Sequence, residues 1–154
     1  MCISIFGEIR KEYFDSGKLK SESNYINGKR EGLQKIYHEN GNLSIEVLYR
    51  YGKKNGLFKM YYKNGDLYIE TLYKNDKREG LSNLYKENSI LWFESKYKND
   101  KIEGLSKRYY ENGNLYTEIL YKNGKAISGY KYSKDKKKTK LTNAHIYNIN
   151  NEKR

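Results

Sequence analysis

Side chains able to do chemistry are few and scattered in this 154-residue chain. His38 and His145 are the two histidines, and neither has a second metal-ligating residue three to five positions further on. Cys2 is the single cysteine, so no intramolecular disulfide can form, and with no base beside it in sequence it does not read as an activated nucleophile. Gly28-Lys29, Gly52-Lys53 and Gly124-Lys125 pair glycine with lysine, but no G-x-x-x-x-G-K-[S/T] loop surrounds them. They read as hairpin glycines, not as a phosphate cradle. Glu22, Glu46, Glu70, Glu94 and Glu118 recur at one step and could be imagined as a row of cation sites. The register derived below sets a lysine across from all but one of them, so they read as cross-strand ion-pair partners. An enzyme needs an acid, base or nucleophile converging in one place. The expectation is therefore a protein with no catalytic residues, no metal site and no cofactor.

Aromatic and cationic side chains remain. The chain has 18 tyrosines, four phenylalanines and one tryptophan, Trp92. Tyr68, Trp92 and Tyr116 occupy equivalent positions, where Ser44 stands in an earlier copy. Positions that vary between copies suit binding better than invariant ones, and Trp and Tyr are enriched at binding hot spots. The expected register places Tyr61, Tyr85 and Tyr109 directly opposite them, which makes an aromatic strip for an extended partner segment. The same strip could instead pack on itself as the sheet rolls, and both readings stand at this stage. Tyr25, Tyr49, Tyr73, Tyr97 and Tyr121 are invariant, which suits packing of unit on unit better than stacking of nucleobases.

The formal net charge is +12 and is uneven. Residues 131–154 carry 8 basic and 2 acidic side chains, which is half of the excess. Lys134, Lys136, Lys137, Lys138 and Lys140 make this tail either a solvated end or an electrostatic attractor for anionic membrane lipid or nucleic acid. Lys, Asn, Ile, Tyr and Glu can all be written with A/T-rich codons, so part of the Lys and Tyr excess is explained by genome composition alone. No run is long and apolar enough to cross a membrane as a helix, and the start lacks a basic region or a secretory apolar core. A cytoplasmic location is expected.

The elements that carry these residues come from an internal repeat. Gly32, Gly56, Gly80 and Gly104 lie 24 apart, and so do the leucines that follow them. Columns at Tyr13, Leu19, Glu22 and Tyr25 keep the same step for five copies. The units run over 8–31, 32–55, 56–79, 80–103 and 104–128, with a one-residue insertion near Ser128. Asn40-Gly41, Asn64-Gly65 and Asn112-Gly113 signal type I′ hairpin turns, with Asn88-Ser89 as the departure. A second turn lies at Asn27-Gly28, Tyr51-Gly52, Asn75-Asp76, Asn99-Asp100 and Asn123-Gly124. The segments between are rich in Tyr, Leu, Ile and Thr and have the length of strands.

A two-residue loop at Asn40-Gly41 sets His38 opposite Leu43 and Lys35 opposite Glu46. The same count sets Lys11, Lys59 and Lys107 opposite Glu22, Glu70 and Glu118, and only Asn83 opposite Glu94 breaks the row. It also sorts Phe58, Met60, Tyr62, Leu67, Ile69, Thr71 and Tyr73 onto the better-buried face. With 36% apolar and 32% charged residues, the fold expected is all-β: an elongated antiparallel β-meander of about five 24-residue hairpin units in a single twisted layer. Residues 1–130 form the array. Residues 131–154 are a basic C-terminal tail, flexible or capping, that shares no interface with the units; Leu141–Ile149 adds either a strand or a helix.

Phrases such as Gly56-Leu-Phe-Lys-Met-Tyr-Tyr-Lys-Asn-Gly65-Asp-Leu-Tyr and Tyr109-Tyr-Glu-Asn-Gly113-Asn-Leu-Tyr-Thr-Glu-Ile-Leu-Tyr-Lys-Asn-Gly124-Lys resemble the bacterial variant of the MORN repeat. The resemblance covers residues 8–130 and extends to YwqK-family antitoxin proteins, which consist of little else. It implies a non-enzymatic protein-interaction module, antitoxin-like, with another protein as partner. The alternative it implies is a peripheral binder of anionic membrane lipid through the basic tail and the aromatic face. The family supplies no catalytic residue to carry over.

Overall fold

The computed structural model describes residues 7–151, so Cys2 lies outside the described residues. The chain runs up and down as β1 (Gly7–Tyr13), β2 (Leu19–Ile26), β3 (Lys29–Arg30), β4 (Gly32–Tyr37), β5 (Leu43–Arg50), β6 (Lys53–Tyr61), β7 (Leu67–Lys74) and β8 (Lys77–Tyr85). It continues through β9 (Leu91–Lys98), β10 (Lys101–Tyr109), β11 (Leu115–Lys122), β12 (Lys125–Tyr132) and β13 (Lys138–Lys140) to a helix, α1 (Asn143–Asn151). Each strand except β3 pairs antiparallel with the next in sequence; β3 pairs only with β2, which also pairs with β4. The result is the expected single-sheet meander of 24-residue units.

The type I′ turns lie at the edge opposite to the one expected. Both central residues are left-handed at Asn27-Gly28 (φ 50 and 74), Asn75-Asp76 (50 and 67) and Asn99-Asp100 (49 and 66). Tyr51-Gly52 and Asn123-Gly124 do the same, so the type I′ turns lie at this edge. At the other edge Asn40 is not left-handed and only Gly41 is, at φ 92. Gly41 N donates to His38 O at 2.9 Å, and His38 N donates to Asn42 O at 2.8 Å. This is a three-residue loop closed by a glycine, the second common hairpin connection. His38 therefore faces Asn42, and Tyr37 pairs with Leu43, not His38 with Leu43.

The Lys–Glu pairing survives because a bulge restores the count. The register shifts between Ile36 and Tyr37, which leaves Ser44 as the extra residue and returns Lys35 to Glu46. The same bulge returns Lys59 to Glu70 and Lys107 to Glu118. A second bulge in each unit falls at the glycine column: Gly32, Gly56, Gly80 and Gly104 all have positive φ. A Cβ on Gly56 would stand 2.7 Å from Leu48 Cδ2, and one on Gly80 would stand 3.1 Å from Leu72 Cδ2. The glycines let those leucines lie flat across the neighbouring strand.

Bulges coil a sheet, and the inner face shows it. One row crosses the strands through Val47, Phe58, Thr71, Ser82, Ser95, Ser106 and Ile119. Ser95 is 0% exposed and Thr71 2%, although the sheet is a single layer. Only small side chains fit where the face closes on itself. Their hydroxyls satisfy one another, Thr71 with Ser82 and Ser95 with Ser106, each at 2.7 Å. This is the face expected to be better buried. Beside the row runs a ladder of rings and cations: the Arg30 guanidinium stands 5.2 Å over Tyr49, Lys54 5.1 Å over Tyr73 and Arg78 4.1 Å over Tyr97.

In the last two units that column changes to Ile102 and Ala126, and the tail covers it. Ile146 and Ile149 of α1 pack on the cluster of Ile102, Ala126 and Tyr121. Asn150 clamps the β12 backbone, accepting from Ala126 N at 2.7 Å and donating to Ala126 O at 3.0 Å. The helix starts at Thr142, whose Oγ1 accepts from His145 N at 3.3 Å. The expectation that the tail shares no interface with the units is thus corrected, and Leu141–Ile149 is mostly helix.

Candidate interaction surface

The six aromatic residues singled out by sequence do not form one strip. Tyr61, Tyr85 and Tyr109 stand beside the Lys–Glu row, and burial pushes all three phenols above their ordinary pKa. Tyr85 Oη also donates to Glu70 at 3.0 Å. Tyr68, Trp92 and Tyr116 are not opposite them; each is the extra residue of a bulge, and Tyr61, Tyr85 and Tyr109 pair with Leu67, Leu91 and Leu115. The Tyr68 ring lies 4.8 Å from that of Tyr62, and Tyr116 lies 4.8 Å from Tyr110. Those partners bridge to the following unit, Tyr62 Oη to Tyr85 O at 2.9 Å and Tyr110 Oη to Tyr132 O at 2.8 Å. A bulge re-aims the side chain it carries, and here it lays two tyrosines against the rings that bridge one unit to the next. Trp92 differs because Lys86 stands where Tyr62 and Tyr110 stand, and Lys86 pairs with Glu111 at 2.7 Å. Trp92 remains 43% exposed.

The larger exposed surface is aliphatic. Leu33 pairs with Leu48, Leu57 with Leu72 and Leu105 with Leu120, while Leu81 pairs with Lys96. The flat-lying leucines bridge from one hairpin to the next, as Leu48 does over Gly56. These leucines and Ile127 are 36–57% exposed, so an apolar stripe crosses the outer face from β4 to β12. It runs along the Lys–Glu row, in which Lys107 reaches Glu94 at 3.3 Å. An exposed apolar stripe with a charged rim is the usual form of a protein-docking surface. Both leucine columns are visible in sequence; alternation alone puts them on the face with the charges, and only the fold shows that nothing among the described residues covers them.

The family model described as MORN repeat variant matches residues 9–27, 30–51, 54–75 and 102–123, more than half of the chain. The chain belongs to the MORN repeat variant family. No curated protein matches it. The matched segments pass over 78–99, yet that MORN-like unit forms the same two strands, β8 and β9. It is the unit that carries Asn83, Lys86, Ser89 and Trp92 in place of the common residues.

As a MORN-repeat protein it is a repeat-built interaction scaffold. Among the described residues no group of three His, Cys, Asp or Glu side chains is placed to hold a metal. His38 serves the scaffold, with Nε2 3.1 Å from Tyr61 O of the next unit. The tail lysines are not one cluster. Lys134, Lys136 and Lys137 are exposed around the turn between β12 and β13. Lys138 lies 3.9 Å over the Tyr130 ring, and Lys140 lines a cleft beneath α1.

Proposed function

We propose that this MORN-repeat protein docks an extended segment of another protein along the leucine stripe of its outer face. The observation that carries this reading is the stripe itself: eight aliphatic side chains more than a third exposed, one on each strand from β4 to β12 except β9, where Lys96 stands, and edged by alternating charges. Trp92, the most open of the six aromatics chosen from sequence, supplies a second contact. The resemblance to YwqK-type antitoxin proteins supports a toxin protein as the class of partner.

The test is capture of partner proteins by the intact chain and by Leu57→Glu, Leu81→Glu and Trp92→Ala. The leucines are solvent-exposed, so both glutamate variants should melt within a few degrees of the parent and lose the captured partner. Capture unchanged in both would remove the stripe from consideration. Growth rescue on co-expression with the captured partner tests the antitoxin reading. A second reading, adhesion to anionic membranes, is supported by the exposed Lys134, Lys136 and Lys137. Flotation with anionic but not neutral vesicles, lost in the triple Lys→Gln variant, would favour it.

A further inference from the structure

Beneath α1 the inner face of the last units leaves a cleft of about 650 Å³. Pockets for small ligands span roughly 300–1,000 Å³, so this one has the size for a single small molecule. Its floor is aromatic and aliphatic, with Phe93, Tyr116 and Ile119 from the sheet and Ile149 from the helix. Its charged groups are of one sign: among the described residues Arg108, Lys131 and Lys140 line it, and no carboxylate does. None of these three cations forms an ion pair with a carboxylate of the described residues. Arg108 and Lys131 are placed by the rings, the guanidinium 5.8 Å from the Phe93 centroid and the ammonium 5.4 Å from that of Tyr116.

We propose that this cleft is a binding site for a small aromatic anion, a flat ring system bearing a carboxylate, sulfonate or phosphate. The ring lies against Phe93, Tyr116 and Ile119, and the anionic group meets Arg108, Lys131 and Lys140. Charge complementarity selects the anion: three unpaired cations around a partly apolar cleft attract one negative group more strongly than in open water. The rings on the floor select a flat body, since offset stacking and edge contacts are available to a ring and not to a chain. The site lies on the face opposite the leucine stripe, so it is independent of the docking reading above.

The test uses 2-naphthoate as the probe, with 2-naphthalenemethanol as its neutral isostere and decanoate as the flexible anion, titrated into the full chain by calorimetry. Naphthoate should bind one to one, at least tenfold more tightly than the alcohol or decanoate. Arg108→Gln and Lys131→Gln should each weaken it three- to tenfold, and raising salt should weaken it further. Both residues are exposed, so these variants keep their fold; their melting curves check it. Amide chemical shifts at Ser106 and His145, which line the cleft, should move on binding, while those of Leu57 and Leu81 stay still. No binding at millimolar naphthoate, equal binding of the alcohol, or shifts centred on the leucine stripe would each overturn the assignment. Tighter binding of decanoate would do so as well, and would mark the cleft as a site for alkyl chains instead.

Discussion

Ile149→Ala tests whether α1 is a working part of the array. Ile149 packs with Ile146 on Ile102, Ala126 and Tyr121, which are 3%, 3% and 6% exposed. Truncating a fully buried isoleucine to alanine costs about 2–5 kcal/mol, through lost transfer energy and the cavity left behind. Ile149 is half-buried, and the face it leaves opens to water, so about 1–2 kcal/mol is expected. For a chain of this length each kcal/mol moves Tm by roughly 2–4 °C, which gives a fall of about 2–8 °C. Asn150→Ala removes both bonds to the Ala126 backbone and should cost about 1 kcal/mol. Lys137→Ala, in the exposed turn, is the control and should change nothing measurable. Thermal melts followed by circular dichroism in the strand region read all three. A fall below 1 °C for Ile149→Ala would show that the helix is not docked in solution, and the cleft beneath it would go with it.

Ser89 holds φ 60 where Gly41, Gly65 and Gly113 stand in the other loops, so Ser89→Gly should stabilise by about 0.5–1 kcal/mol in chemical denaturation, and a loss would mean that this loop is built differently. Asn83 lies between Glu70 and Glu94, with its Oδ1 buried and unpartnered, at the column of Lys35, Lys59 and Lys107. Asn83→Lys should restore the alternation and add about 0.5–1 kcal/mol at low ionic strength, a gain that shrinks with salt; no gain at low salt would refute the charge row as a stabilising device. The Arg78 backbone N–H at 3.0 Å, with its guanidinium at 3.2 Å, holds the Asp100 carboxyl below its ordinary range. A lowered folded pKa gives stability that is present above the unfolded value and lost as pH falls through the folded one. Between about pH 5 and pH 2, Asp100→Asn should therefore lose less Tm than the parent, and parallel curves would count against the pairing.

The repeat, the meander and the Lys–Glu register were all legible, because each depends on a column of residues with one chemical meaning. The turns were not, because Asn-Gly suits two loops: a type I′ pair, where both residues are left-handed, and a three-residue loop, where only the glycine is. The pairs Asn75-Asp76 and Asn99-Asp100 held the answer, since both residues there are among the few non-glycines that tolerate positive φ. A two-residue loop count leaves no room for the bulge at Ser44, Tyr68, Trp92 and Tyr116, and so joins two faces into one aromatic strip. The helix was hidden by tertiary context. Nine residues with no acid in the first turn and no base in the last carry a weak signal of their own. The informative change lay elsewhere, in the column Arg30, Lys54, Arg78, Ile102 and Ala126, which turns from cationic to apolar where the helix lies down.

The Asn150 clamp has a further consequence. Each unit fits the next so well that any bare end is also a seat for another molecule. Among the described residues β1, exposed along its whole length, is one edge of the sheet, and the far side of β12 would be the other. A protein with two matching seats is a monomer of a fibre, each chain adding its first strand to the last strand of the one before. Asn150 fills the hydrogen-bonding seat of Ala126 with a side-chain amide, and β13 and α1 occupy the rest. β13 and α1 thus close the edge of β12 on which a further strand would otherwise pair.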